Sequence, residues 1–395
     1  MPVGATFKPE WKEYADRVSG VRVRQLTDWM GHSNHRYFTH PNWFEEGRKV
    51  LFASDRNNAR DLFWLDLETG GIVQVTDAAS MDPSGQGRVS RFAMEANPTQ
   101  PEACFWLGRA LYAVHLETFA VRRLFEAPEG YKSCNVSLTA DGRFAIFGAQ
   151  EDVSGRVPTD LNRRYVGMEK VHLAKPHCRI LRVPLSGGEP ECVWEEKCWI
   201  GHINTSPTDP QLLTFCHEGP WHMVDNRIWG FDLSTRQAWK IRPLDRLGRV
   251  GHEYWTADGE RVGYHGTWPA PEYNGGEVMP AAEHFIGCIR HDNTDRVEFT
   301  FPHPTAHTHS LDFRRIVGDG DTMVLLWERQ GDELFGPRVL CEHLSYMGWQ
   351  RGHPHSVFHP DGRRVLFTSN RTDYGNLYLA DVPEDIADLP EAEVE

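Results

Sequence analysis

The chain has 395 residues, 42 of them basic and 56 acidic, for a net charge of −14 at neutral pH. Without a basic surplus it lacks the electrostatic footprint of a nucleic-acid partner, although an anionic sugar needs only a few local cations and stays open. No apolar run is long enough to span a bilayer, and the first twenty residues carry no apolar signal core, so a cytoplasmic location with no membrane partner is expected.

In chain order, the first strand signal is Val21-Arg-Val-Arg-Gln-Leu-Thr-Asp28. Gly47-Arg-Lys-Val-Leu-Phe-Ala-Ser-Asp-Arg then leads to Leu62-Phe-Trp-Leu-Asp-Leu67, followed by a further strand, Gly71-Ile-Val-Gln-Val-Thr-Asp77. The same pattern returns without a gap, 315 residues later, as Gly362-Arg-Arg-Val-Leu-Phe-Thr-Ser-Asn-Arg and Leu377-Tyr-Leu-Ala-Asp-Val382. Weaker copies lie between them at 110–118, 141–147, 212–233, 258–264 and 323–327. Seven units at about 52 residues each exceed the ~40–50 of ordinary propeller blades, which implies insertions. Two stand out: 155–176, basic and with helical character, and 267–285, rich in Pro and Gly.

The expected fold is therefore all-β, a seven-bladed β-propeller filling 1–395 as one domain. The last repeat stops after its third strand at Val382, and Val21–Asp28 is the strand expected to complete it and cover its edge. Eight cysteines without CxxC spacing read as reduced thiols rather than a disulfide framework. Fold alone decides nothing about activity.

Histidines recur at the start of the blades. Six residues before the Asp-Gly or Glu-Gly turn stand His40 in blade 1, Asn135 in blade 3, His252 in blade 5 and His355 in blade 7. Blade 4 offers His202, displaced by one, and blade 6 offers His307 and His309 before an irregular turn. A single strand histidine is most often a satisfied core or surface residue; recurrence at one position points to imidazoles gathered round one pocket. In Gln350-Arg-Gly-His353-Pro-His355, side chains at i and i+2 of a strand would face the same side and reach one metal ion. Imidazoles with an amide oxygen and no thiolate suit an open site for Mn, Fe, Ni or Zn better than a closed structural zinc.

A second constellation is Phe215-Cys-His217-Glu-Gly-Pro-Trp-His222-Met-Val-Asp225-Asn-Arg227-Ile-Trp229. Asp225 and Arg227 could simply pair at the surface, where such bridges contribute little. A fixed guanidinium beside a metal pocket would instead suit carboxylate recognition, because its fork binds two oxygens.

Several motifs carry a resemblance. They are Cys198-Trp-Ile-Gly-His202, Phe215-Cys-His-Glu-Gly-Pro220, Arg227-Ile-Trp229, His252-Glu-Tyr-Trp255, Val317-Gly-Asp-Gly320 and Gln350 with His353-Pro-His355. With them the chain, from His35-Arg36 to Pro383, resembles the oligogalacturonate lyases, β-propeller polysaccharide lyases of pectin breakdown. The resemblance implies β-elimination on short oligogalacturonides with a divalent metal, usually Mn2+. It implies metal ligands at His307, Gln350, His353 and His355, a general base at His252 and an assisting arginine at Arg227. Substrate contacts would come from Arg36, His202, His217 and His309, and because blade 6 lacks the Asp-Gly turn, His307 and His309 remain alternatives as ligand. Arg163, Arg164 and Lys170 of the first insertion are candidates for a second sugar carboxylate, or a solvated helix face.

The partner expected is thus a short acidic oligosaccharide; the oligomeric state is left open. The chemistry agrees with the residues, since removing a proton α to a carboxylate calls for charge neutralisation and a base with a pKa of about 6.5. The competing readings are a lyase on another uronide, a non-catalytic Tol-type binding propeller and a propeller-capped serine peptidase. The last is disfavoured by the missing G-x-S-x-G elbow and the lack of room for a hydrolase domain.

Overall fold

The computed structural model describes residues 2–40, 43–56, 58–82, 88–161, 166–244, 248–268, 273–274, 277–278, 283–301 and 305–393. The chain forms two compact units, Met1–Leu124 with Thr305–Glu395 and Phe125–Pro304. The first holds blades 1, 2, 6 and 7 and the second blades 3, 4 and 5, all of them antiparallel sheets of four or more strands.

The gapless repeat builds matching strands. Lys49–Ser54 of blade 1 and Arg364–Thr372 of blade 7 each pair with the strand that follows them. Val50, Leu51 and Phe52 in one and Val365, Leu366 and Phe367 in the other are buried to within 2 %. Unlike a one-faced sheet, a blade is covered on both faces by its neighbours, so these strands are continuously apolar rather than alternating. Between blades 6 and 7, Val317, Val324 and Leu326 pack with Phe358, Phe367 and Tyr378 in one core cluster. In the second unit, Ile146 and Ile180 of blade 3 pack with Leu213 and Phe231 of blade 4.

Two turns repeat in detail. Thr139-Ala-Asp141-Gly142 and Thr256-Ala-Asp258-Gly259 each carry a threonine hydroxyl donating to the aspartate at 2.6 Å. Their glycines sit at φ +66° and +71°, the left-handed region that a side chain disfavours.

The expected closure is present. Arg22–Gln25 pairs with Tyr374–Asp381, Val23 opposite Ala380 and Gln25 opposite Tyr378. A further strand, Lys12–Ala15, adds outside it, and Thr6–Phe7 adds to the outer edge of blade 1. The N-terminal segment thus covers two sheet edges instead of one.

Both insertions lie between the second and third strands of their blades. In blade 5 the strands Arg261–Trp268 and Glu283–Arg290 pair as far as Trp268 opposite Glu283, so the inserted segment begins only after Trp268. The insertion of blade 3 contains a helix at Met168–Ala174, with Lys170 exposed on it. Arg163 and Arg164 lie outside the described residues.

Candidate metal centre and active site

In the first unit His307, His353 and His355 bring one nitrogen each to within 4.8 Å of one another. The ring centroids of His307 and His355 are 4.6 Å apart, and those of His353 and His355 5.7 Å. Strand alternation is not what aligns the last two. His353 closes a 3-10 turn, Gln350–Gly352, and His355 adopts φ +51°, both ahead of the short strand Val357–Phe358. A left-handed histidine, rare for a residue with a Cβ, turns its ring toward His307 instead.

Asp319 orders this group. Its carboxylate accepts from His307 Nδ1 at 2.8 Å and from the backbone N–H groups of His355 and Ser356 at 3.0 and 3.1 Å. Burial would raise this carboxyl, but the His307 hydrogen bond and its other donors outweigh burial and bring it to about 2. With Nδ1 of His307 held by Asp319, Nε2 is the nitrogen that would serve as a metal ligand. His353 uses Nε2 against the Met347 carbonyl at 2.9 Å, while its buried Nδ1 has no hydrogen-bond partner. Burial, then the neighbouring His307, lowers His353 to about 4, so at neutral pH its lone pair is available. Tyr37, Phe38 and Phe92 wall the group, with ring centroids 4.8, 6.2 and 5.2 Å from His355. The three imidazoles, with the buried Nδ1 of His353 left without a hydrogen-bond partner, fit a divalent transition-metal ion. Gln350 lies half-buried in the turn that leads to His353.

His309 stands apart. Its Nδ1 accepts the Phe358 N–H at 3.2 Å, and burial lowers it to about 3. It ties blade 6 to blade 7, and the structure places His307 rather than His309 with the His-Pro-His pair.

The second unit gathers a different group. The inner strands of blades 3, 4 and 5 each carry a bulge, between Ser133 and Val136, Gly201 and Asn204, and Gly251 and Tyr254. His202 and His252 occupy the same place in their bulges, at φ +45° and +57°. The one-residue displacement counted from the turns is therefore a difference in turn length, not in side-chain position. Bulges re-aim side chains, and here both imidazoles leave the pleat.

His252 Nδ1 lies 2.6 Å from His265 Nε2, with the rings stacked at 4.9 Å. Arg227 donates from Nη1 to Glu218 Oε1 at 2.6 Å and from Nε to Glu253 Oε2 at 3.5 Å. His202 faces the same two carboxylates at 3.5 and 3.8 Å. Arg227 is thus a buried, fixed cation, and its partner is not Asp225. His202, Cys216 and Glu218 also bring donor atoms within 4.8 Å of one another. Arg227 already neutralises Glu218, and burial keeps the Cys216 thiol protonated, so this group is a poorer cation site than the three histidines.

Other candidates are committed elsewhere. His217 is held between Asp225 and Glu196, through Nδ1 at 2.8 Å and Nε2 at 2.9 Å. Burial opposes its charge, yet Cys198 and these carboxylates raise it to about 10. Arg36 is fully buried with Glu95 at 2.6 Å, and His40 lies 3.7 Å from the same carboxylate. Sequence reasoning missed Asp319, His265, Glu218 and Glu253 as functional residues. Three of them sit inside motifs already singled out, whereas His265 is revealed only by register, directly opposite Gly251.

Blades with imidazoles collected at left-handed positions and a metal-competent histidine group define a propeller of the enzymatic kind. A family model described as oligogalacturonate lyase matches residues 1–270, and the chain belongs to that family and is a lyase. An oligogalacturonide lyase of Pectobacterium atrosepticum is 26 % identical over 411 aligned residues, 98 % of this chain and all of the relative. An oligogalacturonate lyase of Dickeya dadantii is 24 % identical with the same coverage. Among solved structures, an oligogalacturonate lyase in complex with manganese matches with a TM-score of 0.83 at 24 % identity, over 98 % of this chain and 100 % of its own. An oligogalacturonate lyase from Vibrio parahaemolyticus matches with a TM-score of 0.82 at 24 % identity, over 97 % and 99 %. The likeness shows the fold, a seven-bladed β-propeller.

Proposed function

We propose that this chain cleaves short oligogalacturonides by β-elimination. The observation that carries the reading is the convergence of His307, His353 and His355 on one point, ordered by Asp319, in a member of this family. His307, His353, His355 and Gln350 would hold the cation, with manganese favoured by the ion in the solved relative. When bound, a divalent cation supplies Lewis-acid neutralisation of the uronate carboxylate, which lowers the cost of removing the adjacent C5 proton.

His252 is the base in this reading. For that role Nδ1 of His252 would carry the ring proton and donate to His265 Nε2, 2.6 Å away, and Nε2 of His252 would take the C5 proton. The C5–H electron pair becomes the C4–C5 double bond as the C4–O bond breaks. The departing oxygen takes up a proton from water, matching the one His252 later returns to solvent, and leaves as the hydroxyl of the released sugar. Arg227, pinned by Glu218 and Glu253, supplies a fixed positive charge that needs no reorganisation during the step.

The test follows the ultraviolet absorbance of the conjugated product on digalacturonate. Activity that chelator abolishes and Mn2+ restores is expected; full activity in chelator would overturn the metal role. Elimination on other uronides with galacturonides untouched would move the proposal to another substrate.

A further inference from the structure

One cluster of charge in the first unit has no task in this chemistry. Arg60 and Arg91 share one carboxylate, Asp55, and Arg88 and Arg351 add like charge beside them. Arg91 Nη2 stands 3.5 Å from Asp55 Oδ2, and Arg60 Nε 4.0 Å from Oδ1. Arg60 is held in place by the Val89 carbonyl, to which its Nε donates at 2.7 Å. The guanidinium of Arg351 lies 4.6 Å over the Trp349 ring, and Trp349 is 42 % exposed. Among the described residues neither Arg88 nor Arg351 has a carboxylate partner, and the buried Nε of Arg91 has no acceptor.

Other buried arginines of the chain are matched: Arg56 with Glu10, Arg36 with Glu95, Arg227 with two glutamates. Here the like charges crowd one another. Burial and the charges of Arg60, Arg351 and Arg88 hold Arg91 down at about 10, and burial with Arg91 and Arg351 lowers His32. In a protein of net charge −14, a local surplus of this kind costs repulsion that only an anion relieves. The patch adjoins the histidine group. Arg351 lies between Gln350 and His353, and Arg91 precedes Phe92, whose ring is 5.2 Å from that of His355.

We propose that Arg60, Arg88, Arg91 and Arg351, with Trp349 as a stacking face, bind the carboxylate of a second uronate residue of the oligosaccharide, not the one that reacts. Guanidinium forks match a carboxylate bidentately, and an indole offers a flat apolar face to a pyranose ring. This rests on the reading that the ligand is an oligouronide, and it moves the second-sugar contact from 163–170 to the neighbourhood of the histidines.

The test is calorimetric binding of galacturonate and of digalacturonate to manganese-loaded His252→Ala protein, alone and with Arg351→Gln or Arg88→Gln. Both arginines are exposed, so either variant should fold. Loss of charged contacts to one carboxylate should weaken digalacturonate by about tenfold and leave galacturonate unchanged. Digalacturonate affinity equal to the parent, or an equal loss for both sugars, overturns the subsite. Arg88→Gln keeps the answer clear if Arg351→Gln, beside Gln350, also lowers metal content. Elimination by the wild-type protein is measured separately. Binding that discriminates the variants without any elimination would sink the lyase reading and keep the subsite.

Discussion

At the scale of single residues, Asp319 holds the histidine group together through three hydrogen bonds, two of them to backbone N–H groups 36 and 37 residues away. Asp319→Asn keeps the shape but loses the charge and one acceptor, freeing His307 to rotate. Partners of this type commonly contribute ~10–100-fold to metal affinity, and a loss of that size is expected in Mn2+ titration. Unchanged affinity would mean that the imidazoles align without it. His252→Ala should abolish elimination and leave metal content intact, because His252 pairs with His265 and is not one of the three histidines whose nitrogens converge. Metal loss in that variant would make His252 a ligand. Arg227→Lys should be nearly as damaging as Arg227→Ala, since one ammonium cannot satisfy Glu218 and Glu253 together; turnover near wild type would reduce Arg227 to a structural ion pair.

At the scale of elements, the N-terminal strand and the bulges matter most. Val23 is completely buried in the core shared by blades 6 and 7, although it lies 357 residues before its pairing partner Ala380. Val23→Ala removes two methyl carbons and leaves a cavity, for a cost of roughly 2 kcal/mol. Val23→Asp adds an unpaired buried charge and should open the last blade, seen as a lower melting temperature and aggregation through the bared edge. A Val23→Asp protein that melts like wild type would show that the closure carries little stability. The strand was legible because Val21–Asp28 copies Gly71–Asp77 in a chain whose last repeat lacks that piece. The bulges were not legible, because an extra residue in a strand leaves no compositional mark; only pairing to the next strand exposes it.

At the scale of the whole molecule, buried histidines set opposite pH dependences. His35 and His309 are lowered by burial to about 4 and 3, whereas in the unfolded chain they bind protons near pH 6.5. The unfolded state therefore takes up more protons as pH falls below about 6.5, and stability drops there. His217, raised to about 10, contributes stability that is complete below about 6.5 and gone above about 10. Melting temperature in chelator should peak near pH 6.5; a flat profile from pH 5 to 9 would contradict these environments. Short uronides should be far better substrates than polygalacturonate, in keeping with a buried histidine group. Comparable kcat/KM on the polymer, with random internal cleavage, would indicate an open cleft.

Repeat period, blade number, strand closure and the His-Pro-His segment are local or periodic properties, so the order of residues determined them unaided. Asp-Gly turns and apolar runs need no distant partner to be recognised. Which imidazoles meet was decided by tertiary structure. His307 and His309 are equivalent in sequence, and only the pairing of blades 6 and 7 directs one to the His-Pro-His pair and the other to the Phe358 N–H. The backbone of His202, His252 and His355 turns left-handed because bulges and hydrogen bonds to remote groups such as Asp319 overrule the strand's own alternation. The partners of His217 and Arg227 follow the same rule, since a charge takes whichever opposite charge burial brings nearest, not the one nearest along the chain.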